Sequence, residues 1–113
     1  MVEKLEVNQI LEEEVQRDSK FMIISVRGDT PANSLGSVIE RAISGDKKVT
    51  LKMIGVKSIN QGIKACIIAG KFLAVKGMKL LMLPKFEEVE DVTSHERIVR
   101  ISVQAIPIRC KVS

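Results

Sequence analysis

Tryptophan and tyrosine are absent from this chain of 113 residues, and Phe21, Phe72 and Phe86 are its only aromatic side chains. A binding mode that stacks successive bases on a row of rings therefore lacks its residues, and only backbone and groove contacts remain open to it. Cysteine is scarce as well. Cys66 in a helical run and Cys110 near the C-terminus form neither a metal-ligand nor a redox spacing, so both are expected to be reduced thiols of a cytoplasmic protein. The N-terminal residues alternate charged and apolar side chains without a continuous apolar core, so neither a signal peptide nor a membrane span is expected. The single histidine, His95, sits between Ser94 and Glu96 without the partners a general base needs. Neither G-x-x-x-x-G-K-[ST] nor G-x-G-x-x-G occurs, which removes the usual support for nucleotide-dependent chemistry. Glu87, Glu88, Glu90 and Asp91 lack the ligand spacing and central glycine of a calcium loop, and read as a solvated acidic turn. The expectation is a non-enzymatic protein with no catalytic residues, metal, cofactor or small-molecule substrate.

One further absence is the most informative. Between Asp46 and Glu87 there is no acidic residue, while Lys47, Lys48, Lys52, Lys57, Lys64, Lys71, Lys76, Lys79 and Lys85 fall inside that stretch. The formal charge of +4 understates this, because residues 1 to 20 carry Glu3, Glu6, Glu12, Glu13, Glu14 and Asp18 against Lys4, Arg17 and Lys20. Such asymmetry suits binding of a polyanion, though it also serves solubility.

The apolar content of 45% in a chain of this length fits one two-layer domain. Val7, Ile10, Leu11 and Val15 share a face at helical spacing and predict an amphipathic helix over residues 2–18. Phe21 to Val26 predicts a strand, and Asp29-Thr30-Pro31 a helix starting at Pro31, with Leu35, Val38, Ile39, Ala42 and Ile43 inward and Gly45 at its end. Val49, Leu51 and Met53 alternate with Thr50 and Lys52 in a second strand that leaves Lys52 on the polar side. After Gly55 a second helix would bury Ile59, Ile63, Cys66, Ile67, Gly70 and Leu73 and expose Asn60, Lys64 and Lys71. Lys79 to Leu83, closed by Pro84, and Arg97 to Ile106, closed by Pro107, predict two more strands, with residues 85–96 loosely organised between them. The first two strands, joined by a helical crossover, should be parallel. The result is an α/β, two-layer fold of order β-α-β-α-β-β: a mixed four-stranded sheet with two helices on one face, plus an N-terminal helix. The extension covers residues 1–20, the domain 21–107 and a tail 108–113.

The turn from Gly55 to Gln61 joins a glycine able to adopt unusual backbone angles, candidate caps in Ser58 and Asn60, and Lys57 and Lys64 flanking the free N–H groups of a helix start. A phosphate could rest there; the alternative is a capped helix with solvated lysines.

From Met22 to Pro107 the chain resembles the stage V sporulation protein S (SpoVS) family, related to the Alba nucleic-acid-binding superfamily. The resemblance is carried by Ile23-Ile24-Ser25-Val26, by Pro31-Ala32-Asn33-Ser34, and above all by Ile54-Gly55-Val56-Lys57-Ser58-Ile59-Asn60-Gln61-Gly62-Ile63-Lys64-Ala65, with Met82-Leu83-Pro84-Lys85-Phe86 continuing it. It implies the fold shared by Alba proteins and the C-terminal domain of translation initiation factor three, usually assembled as dimers. It also implies a nucleic-acid surface made of the Gly55–Gln61 turn, the Gly28–Ser34 loop that contributes Asn33, and the hairpin between the last two strands. The expected function is a cytoplasmic, homodimeric nucleic-acid-binding regulator linked to sporulation or developmental gene expression. Lys57, Ser58, Asn60, Gln61, Lys64 and Asn33 would contact DNA or RNA phosphates, with Lys47, Lys48 and Lys52 broadening the positive field. The competing expectation is a dimeric protein-interaction module that binds no nucleic acid.

Overall fold

Alternation of apolar and polar residues makes Phe21–Val26 and Lys48–Met53 half-buried strands, and in the computed structural model they lie side by side as a parallel pair. The structure describes residues 3–5, 15–17 and 20–110. In chain order the elements are β1 (Glu3–Leu5), β2 (Val15–Arg17), β3 (Phe21–Val26), α1 (Ala32–Ser44), β4 (Lys48–Met53), α2 (Val56–Ala74), β5 (Met78–Asp91) and β6 (Arg97–Arg109). The sheet order is β1-β5-β6-β4-β3-β2. Its four main strands form the expected mixed sheet: β3 and β4 are parallel, and β6 runs antiparallel to both β4 and β5.

Both helices cover one face. Ile24 and Val26 of β3, Leu51 and Met53 of β4, and Val103 and Ala105 of β6 join Leu35, Ile39 and Ile43 of α1 and Cys66, Ala69 and Leu73 of α2 in one apolar core. The helices meet closely at Gly36, where a β-carbon would stand 2.7 Å from the Ile68 side chain and 3.1 Å from the Ala65 carbonyl oxygen. Only a glycine lets the two backbones approach so far. A Lys76–Glu40 ion pair of 2.8 Å ties the other ends of the helices together.

Several expectations are corrected. Residues 3–5 and 15–17 are strands at the two opposite edges of the sheet, so the helix expected over 2–18 does not hold at its ends; residues 6–14 lie outside the described residues. Backbone pairing to the exposed edges of β5 and β3 outweighs the helical spacing of the side chains there. α1 begins one residue late, with Pro31 as its cap. β5 does not stop at Pro84 but continues to Asp91, and β6 passes Pro107 to Arg109. Pairing along the long hairpin carries both prolines inside strands, and residues 85–91 are ordered strand rather than loose loop. On α2 the buried residues are Ser58, Gly62, Ala65, Cys66, Ala69 and Leu73, and Ile67 is 52% exposed. The helix turns its small residues inward because a β-carbon at Gly62 would already collide with the Met53 sulfur, leaving no depth for an isoleucine.

Candidate nucleic-acid interface

Parallel pairing of β3 and β4 fixes where the site lies. Their carboxyl ends emerge together, so the loop entering α1 and the turn entering α2 are neighbours, and both helix N-termini sit at one end of the sheet. Among the described residues neither N-terminus has a side-chain cap, and neither has an acidic residue in its first turn. Free backbone N–H groups and the positive ends of both helix dipoles therefore share this end.

The turn before α2 is set by Gly55, whose φ of 86° and ψ of 159° lie where other residues are strained. Two contacts lock it to the loop before α1. The Gln61 side-chain amide donates to the Thr30 carbonyl oxygen at 2.7 Å, and Gly28 lies against the Lys57 stem, close enough that a β-carbon there would come within 2.9 Å of it. In the same loop Arg27 grips Asp29 with two hydrogen bonds, Nε to Oδ1 at 3.0 Å and Nη2 to Oδ2 at 2.7 Å. Those bonds hold the Asp29 carboxyl below its ordinary range, so the loop's one acid is neutralised by its neighbour. This fork was missed from the sequence; an arginine two positions before an aspartate in a turn was its only signal.

The expected site residues divide into four groups. Lys57, Asn60 and Lys64 are exposed on α2, Gln61 is half-buried, and Asn33 joins Lys64 in lining an open groove of about 470 Å³ between the two helices. Lys57, Lys64 and Lys71 recur every seven residues, about 10 Å apart along the outer face of α2. Ser58 does not belong to the surface: it is 2% exposed, and its hydroxyl is shared between the carbonyl oxygens of Ile54 (2.6 Å) and Gly55 (2.9 Å). Lys52 also leaves the site, because its ammonium lies on the sheet face away from the helices and donates to both Glu87 carboxylate oxygens at 2.7 and 2.9 Å. Lys47 and Lys48 stand at the start of β4, roughly 17 Å from the turn at its other end, with the Lys48 ammonium 5.9 Å from the Phe21 ring centre.

Glu87 is thus no solvated turn residue. Besides Lys52 it accepts a hydrogen bond from Arg100 Nε at 2.9 Å, and Arg100 is 2% exposed. Burial alone would raise its carboxyl; the hydrogen bonds and charges of Lys52 and Arg100 prevail and hold it below the usual value. The rest of the hairpin arm runs past the end of β4, since pairing of β4 with β6 stops at Met53 and Ile101. That arm is acidic, with Glu88 facing Arg97 at 3.4 Å and Glu90 facing His95 at 3.3 Å. Among the described residues no helix is long and apolar enough to cross a membrane.

Fold and site together define a small two-layer α/β domain of order β-α-β-α-β-β with a lysine-lined helix face beside two open helix N-termini. The family model of Stage V sporulation protein S (SpoVS) matches residues 22–106, and the chain belongs to that family, which makes it a sporulation-related protein. No curated protein matches the chain.

Proposed function

We propose that this chain is a non-catalytic nucleic-acid-binding regulator of the cytoplasm, acting as a homodimer and contacting mainly phosphates. The observation that carries the reading is the placement of Lys57 at the start of α2, and of Lys64 with Asn33 on one groove, beside two helix N-termini that hold no acidic residue in their first turns. The likeness of the segment 54–65 to the SpoVS family, through which the chain resembles the related Alba nucleic-acid-binding superfamily, supports it further. Lysine offers a point charge rather than a bidentate base contact, so affinity should be largely electrostatic and weakly sequence-selective. Fluorescence anisotropy of labelled single strands and duplexes at two salt concentrations tests this. Binding should weaken steeply with salt and fall by roughly tenfold or more in Lys57→Glu/Lys64→Glu. A folded protein that binds no polymer at low salt overturns it.

A second reading, a dimeric protein-interaction module, is favoured by exposed apolar residues on the hairpin: Leu83 is 57%, Phe86 78% and Val99 56% exposed. Salt-insensitive association that Phe86→Glu abolishes in sedimentation, without any nucleic-acid binding, would decide for it.

A further inference from the structure

The inward turn of the small residues of α2 has left Ile67 on the outside, beside the lysine row. Together with Pro31, Ala32, Asn33, Lys64 and Ile68 it lines the groove between α1 and α2. Its volume of about 470 Å³ is within the range of small-molecule sites, but the groove is shallow and broadly open to solvent. The walls are apolar, from Pro31, Ile67 and Ile68; among the described residues the amide of Asn33 and the ammonium of Lys64 are its polar groups, and no carboxylate lines it. Lys57 and Lys71 continue the positive row on either side along α2.

A ligand matching this arrangement needs a flat apolar face, a hydrogen-bonding edge and an anion close by. A nucleotide has all three, but in a duplex the base faces are stacked and its edges paired, so only an unpaired base can enter. Resting on the nucleic-acid reading above, we propose that the groove seats one unpaired base of a single strand. The base lies against Ile67 and Pro31, its edge meets the Asn33 amide, and Lys64 holds an adjacent phosphate. The site then prefers single-stranded DNA or RNA to duplex. The charge distribution points the same way. A duplex needs a broad basic surface, yet Lys47 and Lys48 lie at the far end of the sheet, Lys52 is held by Glu87, and the hairpin arm beside the turn carries Glu88, Glu90, Asp91 and Glu96 against Arg97 and His95. Aliphatic walls take the place of a stacking ring here, since none of Phe21, Phe72 and Phe86 lines the groove.

The absence of tryptophan and tyrosine gives a direct test. Ile67→Trp, at an exposed helical position, makes the sole indole reporter in the groove. Its emission should be quenched saturably by oligodeoxyuridylate or oligouridylate and left unchanged by an annealed duplex, the stronger of the two strands naming the preferred sugar. In anisotropy with the otherwise unaltered chain, Ile67→Ser should weaken single-strand binding roughly tenfold and duplex binding by about twofold at most, with the circular dichroism melt retained. Equal affinity for single strand and duplex, both indifferent to Ile67→Ser but lost in Lys64→Glu, overturns the base-seating groove while leaving the phosphate-binding reading in place. Binding of no polymer by the folded protein removes both.

Discussion

Gly55 is the residue on which the shape of the turn depends. Among the described residues no atom beyond its chain neighbours lies within 4 Å of where its β-carbon would be, so a substitution there meets backbone strain rather than a clash. With φ at 86° and ψ at 159°, Gly55→Ala should cost about 1–3 kcal/mol in urea unfolding and loosen the turn that carries Lys57. Cys66 makes the opposite case, a reactive group silenced by its surroundings. It is 3% exposed in the core, and burial pushes its thiol up to about 11. Titration with a disulfide reagent near pH 8 should therefore find the half-buried Cys110 first, with Cys66 reacting only as fast as the protein opens. The need for a special backbone at Gly55 could be read from the sequence, since a glycine between a strand and a helix has few other uses. The role of Ser58 could not, because a serine three residues into a helix caps or hides according to what packs above it.

The helices and the hairpin show how neighbours override local pattern. Period alone puts Ile59, Ile63, Cys66, Ile67, Gly70 and Leu73 on the buried stripe of α2; Cys66 and Leu73 are buried there, but the stripe is rotated toward Gly62, Ala65 and Ala69 and leaves Ile67 outside. Hydrophobic spacing reports which residues could be inside; the depth available over Met53 decides which of them are. In the hairpin, Pro84 looked like a strand end, but pairing with Val103 carries β5 through it. The Lys52–Glu87–Arg100 cluster then joins β4 to both arms of the hairpin, which brings a pH dependence. The Glu87 carboxyl is lowered on folding, so its contribution is present above the ordinary glutamate value of 4.5 and is lost as pH falls through the folded value. Glu87→Gln should cost about 2 kcal/mol at neutral pH, because it leaves two cations in a partly buried site facing a neutral amide. Its stability should also fall less steeply than that of the unaltered chain below about pH 4.5, as followed by thermal melts across pH.

Over the whole molecule the lysines that look like one field in the sequence are divided by the fold. Lys57, Lys64 and Lys71 share the outer face of α2, Lys47 and Lys48 stand at the other end of the sheet, and Lys52 and Lys76 are engaged in ion pairs. Lys47→Glu/Lys48→Glu should therefore change nucleic-acid affinity by no more than a few-fold at moderate salt, where charges about 17 Å away are screened. Lys57→Glu/Lys64→Glu changes net charge equally and should abolish most binding. Anisotropy on the two variants side by side separates a located site from a general positive charge.

Period-two and period-3.6 spacing, a glycine turn and a lysine-rich stretch free of acids determined by themselves that β3-α1-β4-α2 would form, and that the second helix would begin in a positive environment. These are short-range properties, carried by residues a few positions apart. Which lysines stay free, which face α2 presents, and that Asn33 meets Lys64 across a groove were decided only by the tertiary structure. Each depends on residues such as Glu87, Met53 and Gly36 that are remote in sequence and adjacent in space.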